Sequence, residues 1–299
     1  MNTRNIKTVI IILLVAANIF LISSIAVLNL RVQNIPSDMI ENAVAVLRAH
    51  GVEADSGKIP ARRPIYWIYM GVFPGHSEIV RYFSGASDEE IANGLIQTPE
   101  GSVFNISDYR FWFADYMQIE IVMSDYIESV TAEDKEILAG YNNFSRADEN
   151  RTERIIRDFL RKYSEQDIRT GFEIIGLRKD GENDRILINQ TLDGLFIASH
   201  RAYIIINDGR VKYFSGQWYF GEFVDRYEVP LLDAVNILFK SLEHDGNVLD
   251  GARLESMGRE YNILKLYGTD TFYFTPSWVV NFDSYRSFSY DMMTGNKNN

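Results

Sequence analysis

Residues 9–30, VIIILLVAANIFLISSIAVLNL, carry no charge over 22 positions, and this run constrains the chain more than any other stretch. As a helix rising about 1.5 Å per residue it reaches about 33 Å, against a hydrocarbon core of about 30 Å. The sequence therefore predicts a single transmembrane anchor. No later segment has a comparable uncharged apolar run, so the remainder is expected to stay out of lipid. Arg4 and Lys7 precede the run without an acidic neighbour, whereas only Arg31 follows it before Asp38 and Glu41. The positive-inside bias places residues 1–8 in the cytoplasm and everything from residue 31 outside the cell membrane. A cleaved signal peptide, cut near Ser24-Ile25-Ala26, is the competing reading. Against it, the run is longer than the about 7–15 apolar residues of a signal sequence.

The outer part is long enough to bury one large core or two ordinary ones. Its 17 Tyr, 18 Phe and 4 Trp favour sheet. There is no cysteine, which for an extracytoplasmic domain fits a bacterial surface better than a disulfide-stapled secretory domain. Of 30 basic and 41 acidic side chains, 27 and 41 remain once Arg4, Lys7 and Arg31 are set aside, a net charge of −14. Such a surface excludes nucleic-acid binding and is repelled by anionic headgroups.

Along the outer part, Ile40, Ala43, Val44 and Leu47 form one helical stripe, with Asp38 and Glu41 spaced as a capping box and Gly51 at the stop. Strands are predicted at 65–73 and 78–83, joined by a turn at Pro74-Gly75. A short helix follows the capping sequence Ser87-Asp-Glu-Glu90, with Ile91 and Leu95 on its stripe. Further strands are predicted at 103–106, 109–113 and 117–123, then a linker at 142–150. Ile155, Ile156, Phe159, Leu160 and Tyr163 mark a second amphipathic helix, and a third starts at Pro230. Between and after these lie strands at 172–177, 185–189, 195–198, 203–206, 211–214, 261–267, 271–274, 277–282 and 286–291, with Asn207-Asp208-Gly209 as a hairpin turn.

One string occurs twice, as Val80-Arg-Tyr-Phe-Ser-Gly85 and Val211-Lys-Tyr-Phe-Ser-Gly216. The repetition suggests an α+β outer domain of two related helix-plus-antiparallel-sheet halves, residues 31–145 and 146–299, behind the anchor of residues 9–30.

The chain lacks the patterns that carry catalysis. His50, His76, His200 and His244 are scattered, no zinc spacing occurs, and there is no nucleophile elbow, Walker A or dinucleotide fingerprint. A non-enzymatic protein without metal or cofactor is the expectation. Asp88-Glu89-Glu90 suits a helix N-terminus, and the aromatic groups Tyr66-Trp67, Phe111-Trp112-Phe113 and Trp218-Tyr219-Phe220 read as core. The least expected residues lie in the anchor itself. Asn18 and Asn29 are eleven positions apart and share a helix face to within about 20°. Ile11, Ile22 and Ile25 fall near the same face, and a buried amide there prefers another helix to lipid.

The short basic N-terminus, the Asn18-Ile-Phe-Leu21 string in the anchor, Phe272-Tyr-Phe-Thr-Pro-Ser-Trp278 and Tyr290-Asp-Met-Met-Thr-Gly295 together resemble the YycH/YycI regulatory proteins, YycI most closely. The last of these strings is also similar to the closing strand of PepSY-like modules. The YycH/YycI resemblance implies a bitopic membrane protein of a Gram-positive bacterium, with a mixed helix and sheet outer domain and no catalysis. It also implies partners: a sensor histidine kinase of a two-component system controlling the cell wall, and a paralogous bitopic regulator. Two other readings remain, an extracytoplasmic ligand or peptide sensor and a wall hydrolase with paired carboxylates.

Overall fold

The computed structural model describes residues 33–114, 117–129, 146–164, 170–283 and 286–298. The anchor of residues 9–30 lies outside them. Among the described residues no helix is long and apolar enough to cross a membrane. The fold is α+β. Its residues gather into two compact units that interleave along the chain. Unit 1 takes residues up to 66, 228–258 and 276–299; unit 2 takes 67–227 and 259–275. Where the sequence reading divides the outer part once, at residue 145, the chain instead passes between units four times.

Unit 1 packs two helices, α1 (Ser37–Ala49) and α5 (Ala234–Leu249), with strand segments that continue into or end the chain's last three strands. These are β11 (Leu254–Lys265), β12 (Thr271–Phe282) and β13 (Arg286–Asp291). The α1 stripe is as expected, with Ile40, Ala43, Val44 and Leu47 all buried. Its cap is not. The helix begins at Ser37 behind Pro36, without a side-chain cap, so Asp38 already lies in the first turn, where its charge suits the helix dipole. Helix α5 starts later than Pro230, because the Asp233 carboxylate accepts the Asn236 N–H at 3.0 Å and sets the N-cap there. Trp278, Val280 and Phe282 alternate into the same core, and the Trp278 Nε1–H donates to the Leu232 carbonyl at 3.0 Å. The tail is tied down by Asp245 of α5, which accepts the Tyr290 hydroxyl and the Lys297 ammonium, each at 2.7 Å.

Just after β12, the half-buried Asp283 accepts the Arg253 backbone N–H and pairs with Arg286; these contacts hold its carboxyl below the ordinary carboxylate range. A depressed folded pKa stabilises above the unfolded value, and that contribution is lost as pH falls through the folded one. Below about pH 4 the native protein should therefore lose melting temperature more steeply than Asp283→Asn, in a pH series read by circular dichroism.

Unit 2 is a sheet with strand order β10-β1-β12-β11-β8-β9-β5-β4-β3-β2, in which β7 adds to β8 and β6 to β7. Its strands are β1 (Trp67–Val72), β2 (Leu95–Thr98), β3 (Gly101–Ile106), β4 (Tyr109–Phe113) and β5 (Gln118–Met123). The long meander β6 (Thr170–Asp180), β7 (Asn183–Leu192), β8 (Leu195–Asn207) and β9 (Arg210–Gln217) follows, and β10 (Glu222–Glu228) ends the series. Most neighbours are antiparallel, and β11 runs parallel to β8. Asp208 and Gly209 both take positive φ, 51° and 70°, as the expected tight hairpin between β8 and β9 requires.

Three helices cover this sheet's core: α2 (His76–Ser84), α3 (Asp88–Gly94) and α4 (Arg146–Ser164). The predicted strand at 78–83 is in fact α2. Pro74-Gly75 leads into a helix here rather than a hairpin, Ile79, Val80 and Phe83 share its buried face, and Gly85 at φ +71° stops it. The Val80–Gly85 string is therefore helical, while its second copy lies along β9. The repeat does not mark equivalent positions in two halves. The capping box at Ser87 and Glu90 forms both of its bonds, but Leu95 leaves the helical stripe to begin β2. Residues 146–150, read as linker, are the first turn of α4.

Candidate functional site

The five anchor residues proposed from the sequence, Ile11, Asn18, Ile22, Ile25 and Asn29, lie outside the described residues. Of the other features singled out in the sequence, the aromatic groups mostly serve the core, whereas His50, His244 and Asp88-Glu89-Glu90 are exposed. Phe111, Phe113, Trp218, Tyr219 and Phe220 are buried in unit 2. Phe83 packs against the rings of Phe159 at 5.0 Å and Phe220 at 5.5 Å. His76 stacks on Phe113 with centroids 4.3 Å apart, and His200 is buried with Nδ1 2.9 Å from the Ala198 carbonyl. Glu90 is spent on its capping box, where the Ser87 backbone N–H is the main cause that lowers its pKa. Among the described residues no three His, Asp or Glu converge as a metal site.

What stands out is one face at the end of unit 2 where β10, β1, β12 and β11 lie side by side. Tyr69 of β1, Phe272 and Phe274 of β12 and Tyr261 of β11 point into the core, packed with Phe223 of β10. Alternation then sends their neighbours to the opposite face. Val72, Tyr273, Leu264 and Leu266 belong to that outer set. Met70 pairs with Tyr273 and Val72 with Thr271 across the β1–β12 ladder, which fixes them on the same side. Tyr227, near the end of β10, is exposed.

These side chains are not covered. Leu264 is 54% exposed, Leu266 47%, Tyr227 41% and Val72 39%, and Tyr267 at the tip is fully exposed. The tip is a tight turn in which the Thr269 N–H donates to the Leu266 carbonyl at 3.2 Å and Gly268 sits at φ +77°. It holds the ends of β11 and β12 in register and leaves Tyr267 projecting. Near its end β11 sends Tyr261 and Ile263 toward the core and Leu264 away from it, and Leu266 follows just after the strand.

The Asp225 carboxylate organises the end of β10. It accepts the Arg226 backbone N–H at 2.8 Å and the Tyr227 hydroxyl, and the latter bond is the first cause that raises the Tyr227 pKa. The sequence reading missed β10 because Glu-Phe-Val-Asp-Arg-Tyr-Glu has no apolar period. It missed the face because Leu264, Leu266 and Tyr267 fall in the run 261–267, which reads simply as a strand.

No family model matches the chain, and no curated protein matches it. Among solved structures it is similar to an uncharacterized protein from Eubacterium rectale ATCC 33656, at 12% identity and TM-score 0.44, over 83% of this chain and 89% of that one. It is also similar to the C-terminal domain of Bacillus megaterium YpeB, at 10% identity and TM-score 0.32, over 77% of this chain and 97% of that one.

Proposed function

We propose that this chain is a non-enzymatic, membrane-anchored regulator that works by protein contact on a sensor histidine kinase of a two-component system. The observation that carries the reading is the exposed set of Val72, Leu264 and Leu266, with Tyr227 and Tyr267 also exposed at this end of unit 2. Apolar side chains scattered singly over a surface need no explanation, but a set of leucine, valine and tyrosine exposed at one end of a sheet is the composition of a contact surface. The anchor supplies a second contact. Asn18 and Asn29 on one helix face can hydrogen-bond to a neighbouring transmembrane helix, and Ile11, Ile22 and Ile25 pack around them. A regulator held at two levels biases a two-state kinase only by binding its two states unequally, so both contacts act through differential affinity. Residues 1–8 then lie in the cytoplasm and the outer part outside the cell membrane.

The test is co-purification with the kinase and kinase output, measured with full-length protein reconstituted in liposomes. Asn18→Leu with Asn29→Leu should remove about 0.6–2 kcal/mol of helix contact, a loss of about 3- to 30-fold in kinase retained. Leu264→Ser with Leu266→Ser should give a loss of similar size and shift kinase output in the same direction. If both pairs of substitutions left retention and output at the native level, the reading would be wrong.

A further inference from the structure

Resting on the anchor contact just proposed, we infer that the anchor helix enters unit 1 without a flexible joint, so that the direction of its Asn18/Asn29 face is fixed relative to α1 and α5 and the whole moves as one lever. The first described residue already belongs to the fold. Gln33 has helical backbone, and its carbonyl accepts the Arg63 N–H at 2.8 Å. Asn34 bridges Arg62 in antiparallel register, and the Ile35 N–H donates to the Ala61 carbonyl at 2.7 Å. Ile35 and Ile59 are buried in the unit 1 core, and Pro36 opens α1. On the other side of this short ladder, Arg63 pairs at 3.5 Å with the buried Asp233, the carboxylate that caps α5. Glu53 continues the attachment, its N–H donating to the Ala252 carbonyl at 2.7 Å and its carbonyl accepting the Leu254 N–H at 2.8 Å. The chain is thus held by both helices of the unit from the point at which it arrives.

Only Arg31 and Val32 separate Leu30, the last apolar residue of the run, from this ladder. A tether that lets a domain swivel is built from several glycines and serines. Here no glycine precedes Gly51 and no proline precedes Pro36, so the sequence from the anchor to Gln33 contains no helix breaker. Continued at about 100° per residue, the helix sets Gln33 about 40° from Asn29 and about 60° from Asn18, all on one side of the cylinder. The residue held by Arg63 therefore shares its side with the amides that meet a neighbouring helix. Displacement of unit 1 by an outer contact then turns or tilts the Asn18/Asn29 face, and by reciprocity a helix bound to that face biases the position of unit 1.

The first measurement needs no kinase. The chain has no cysteine, so Ala26→Cys with Glu41→Cys, the latter exposed on α1, carries the only two spin labels in full-length protein held singly in nanodiscs. Pulsed dipolar spectroscopy should return one narrow distance. A six-residue glycine-serine insertion after Leu30 should broaden it, whereas a two-alanine insertion there should move it without broadening. A native distribution as broad as that of the glycine-serine form overturns the inference. The second measurement reads kinase output in liposomes. Two inserted alanines turn the anchor face by about 200° and lift the outer part by about 3 Å; four turn it by about 400° and lift it by about 6 Å. The effect on output should fall about 10-fold with two alanines or with the glycine-serine insertion, and return toward the native level with four. Recovery at the greater lift is the mark of a rotational lock. An effect that declines steadily with length, or that survives the glycine-serine insertion, overturns it. Native circular dichroism melting of each insertion form ties the result to the joint. Should the Asn18/Asn29 and Leu264/Leu266 substitutions leave the kinase at its native level, the regulator reading fails by itself, and the narrow distance still upholds the rigid joint.

Discussion

Trp278→Ala should unfold unit 1 at markedly lower denaturant than the native protein, at a cost of about 3–5 kcal/mol. The indole is fully buried among the residues of the unit 1 core, and its Nε1–H holds the Leu232 carbonyl just ahead of α5. Truncation opens a cavity under α1 and α5 and leaves that carbonyl without its donor. Trp278→Phe separates the two effects, because it keeps most of the ring volume and removes only the hydrogen bond. It should cost about 1 kcal/mol, the net worth of one part-buried hydrogen bond. Trp278 is the one tryptophan of unit 1, so hydrogen exchange on α1 and α5 is the better readout for both variants. Protection there should fall in step with stability; unchanged protection in Trp278→Ala would show that the indole is not a keystone of this core.

Gln190→Leu should be about as damaging to unit 2, by about 2–6 kcal/mol for two buried groups left unpaired. The Gln190 side chain mimics a strand neighbour for Tyr219: its Nε2–H donates to the Tyr219 carbonyl at 2.8 Å, and its Oε1 accepts the Tyr219 N–H at 2.9 Å. It thereby holds a residue that follows β9 and has no ladder of its own. The consequence spreads through the Tyr219 ring, whose hydroxyl lies 3.1 Å from the carbonyls of Val72 and Glu222, at the ends of β1 and β10. Gly71 is required by the same ring, since a Cβ there would sit 2.2 Å from the Tyr219 hydroxyl. In Gln190→Leu, hydrogen exchange should quicken first in β1 and β10. Loss spread evenly over unit 2 would argue that Gln190 supports the sheet generally and not this corner.

The elements legible in the sequence are those whose apolar period has one buried side. Ile40, Ala43, Val44 and Leu47 fixed α1, and Ile155, Ile156, Phe159 and Leu160 pointed to α4, because a helix with one buried stripe has no other economical pattern. The 78–83 segment misled because Glu-Ile-Val-Arg-Tyr-Phe mixes both periods, and what decides it is Gly85 in the left-handed conformation. The β8 and β12 strands were each read as two pieces, broken at Ser199-His200-Arg201 and at Pro276, where the structure carries the strand through. Phe274 and Trp278, part of the string that carried the family resemblance, lie on one side of β12 and enter the cores of unit 2 and unit 1 respectively. Local pattern cannot report such a division, because it depends on which distant segments arrive to pack. The candidate face was hidden for the same reason: which side of a strand lacks a cover is a fact of topology.

The interleaving of the units sets the order in which the protein can assemble. Unit 1 takes its first helix from residues 37–49 and its last strands from residues beyond 275, so α1 waits through most of synthesis for the partners that complete its core. Unit 2 likewise needs residues 259–275 before β1 and β8 acquire their neighbours β12 and β11. Ribosomal release of the final quarter is thus the event that closes both cores, and folding dominated by such distant pairings is slow. A chain stopped before residue 259 would hold neither unit complete, and its waiting helix and open strands are what a chaperone or protease would meet first.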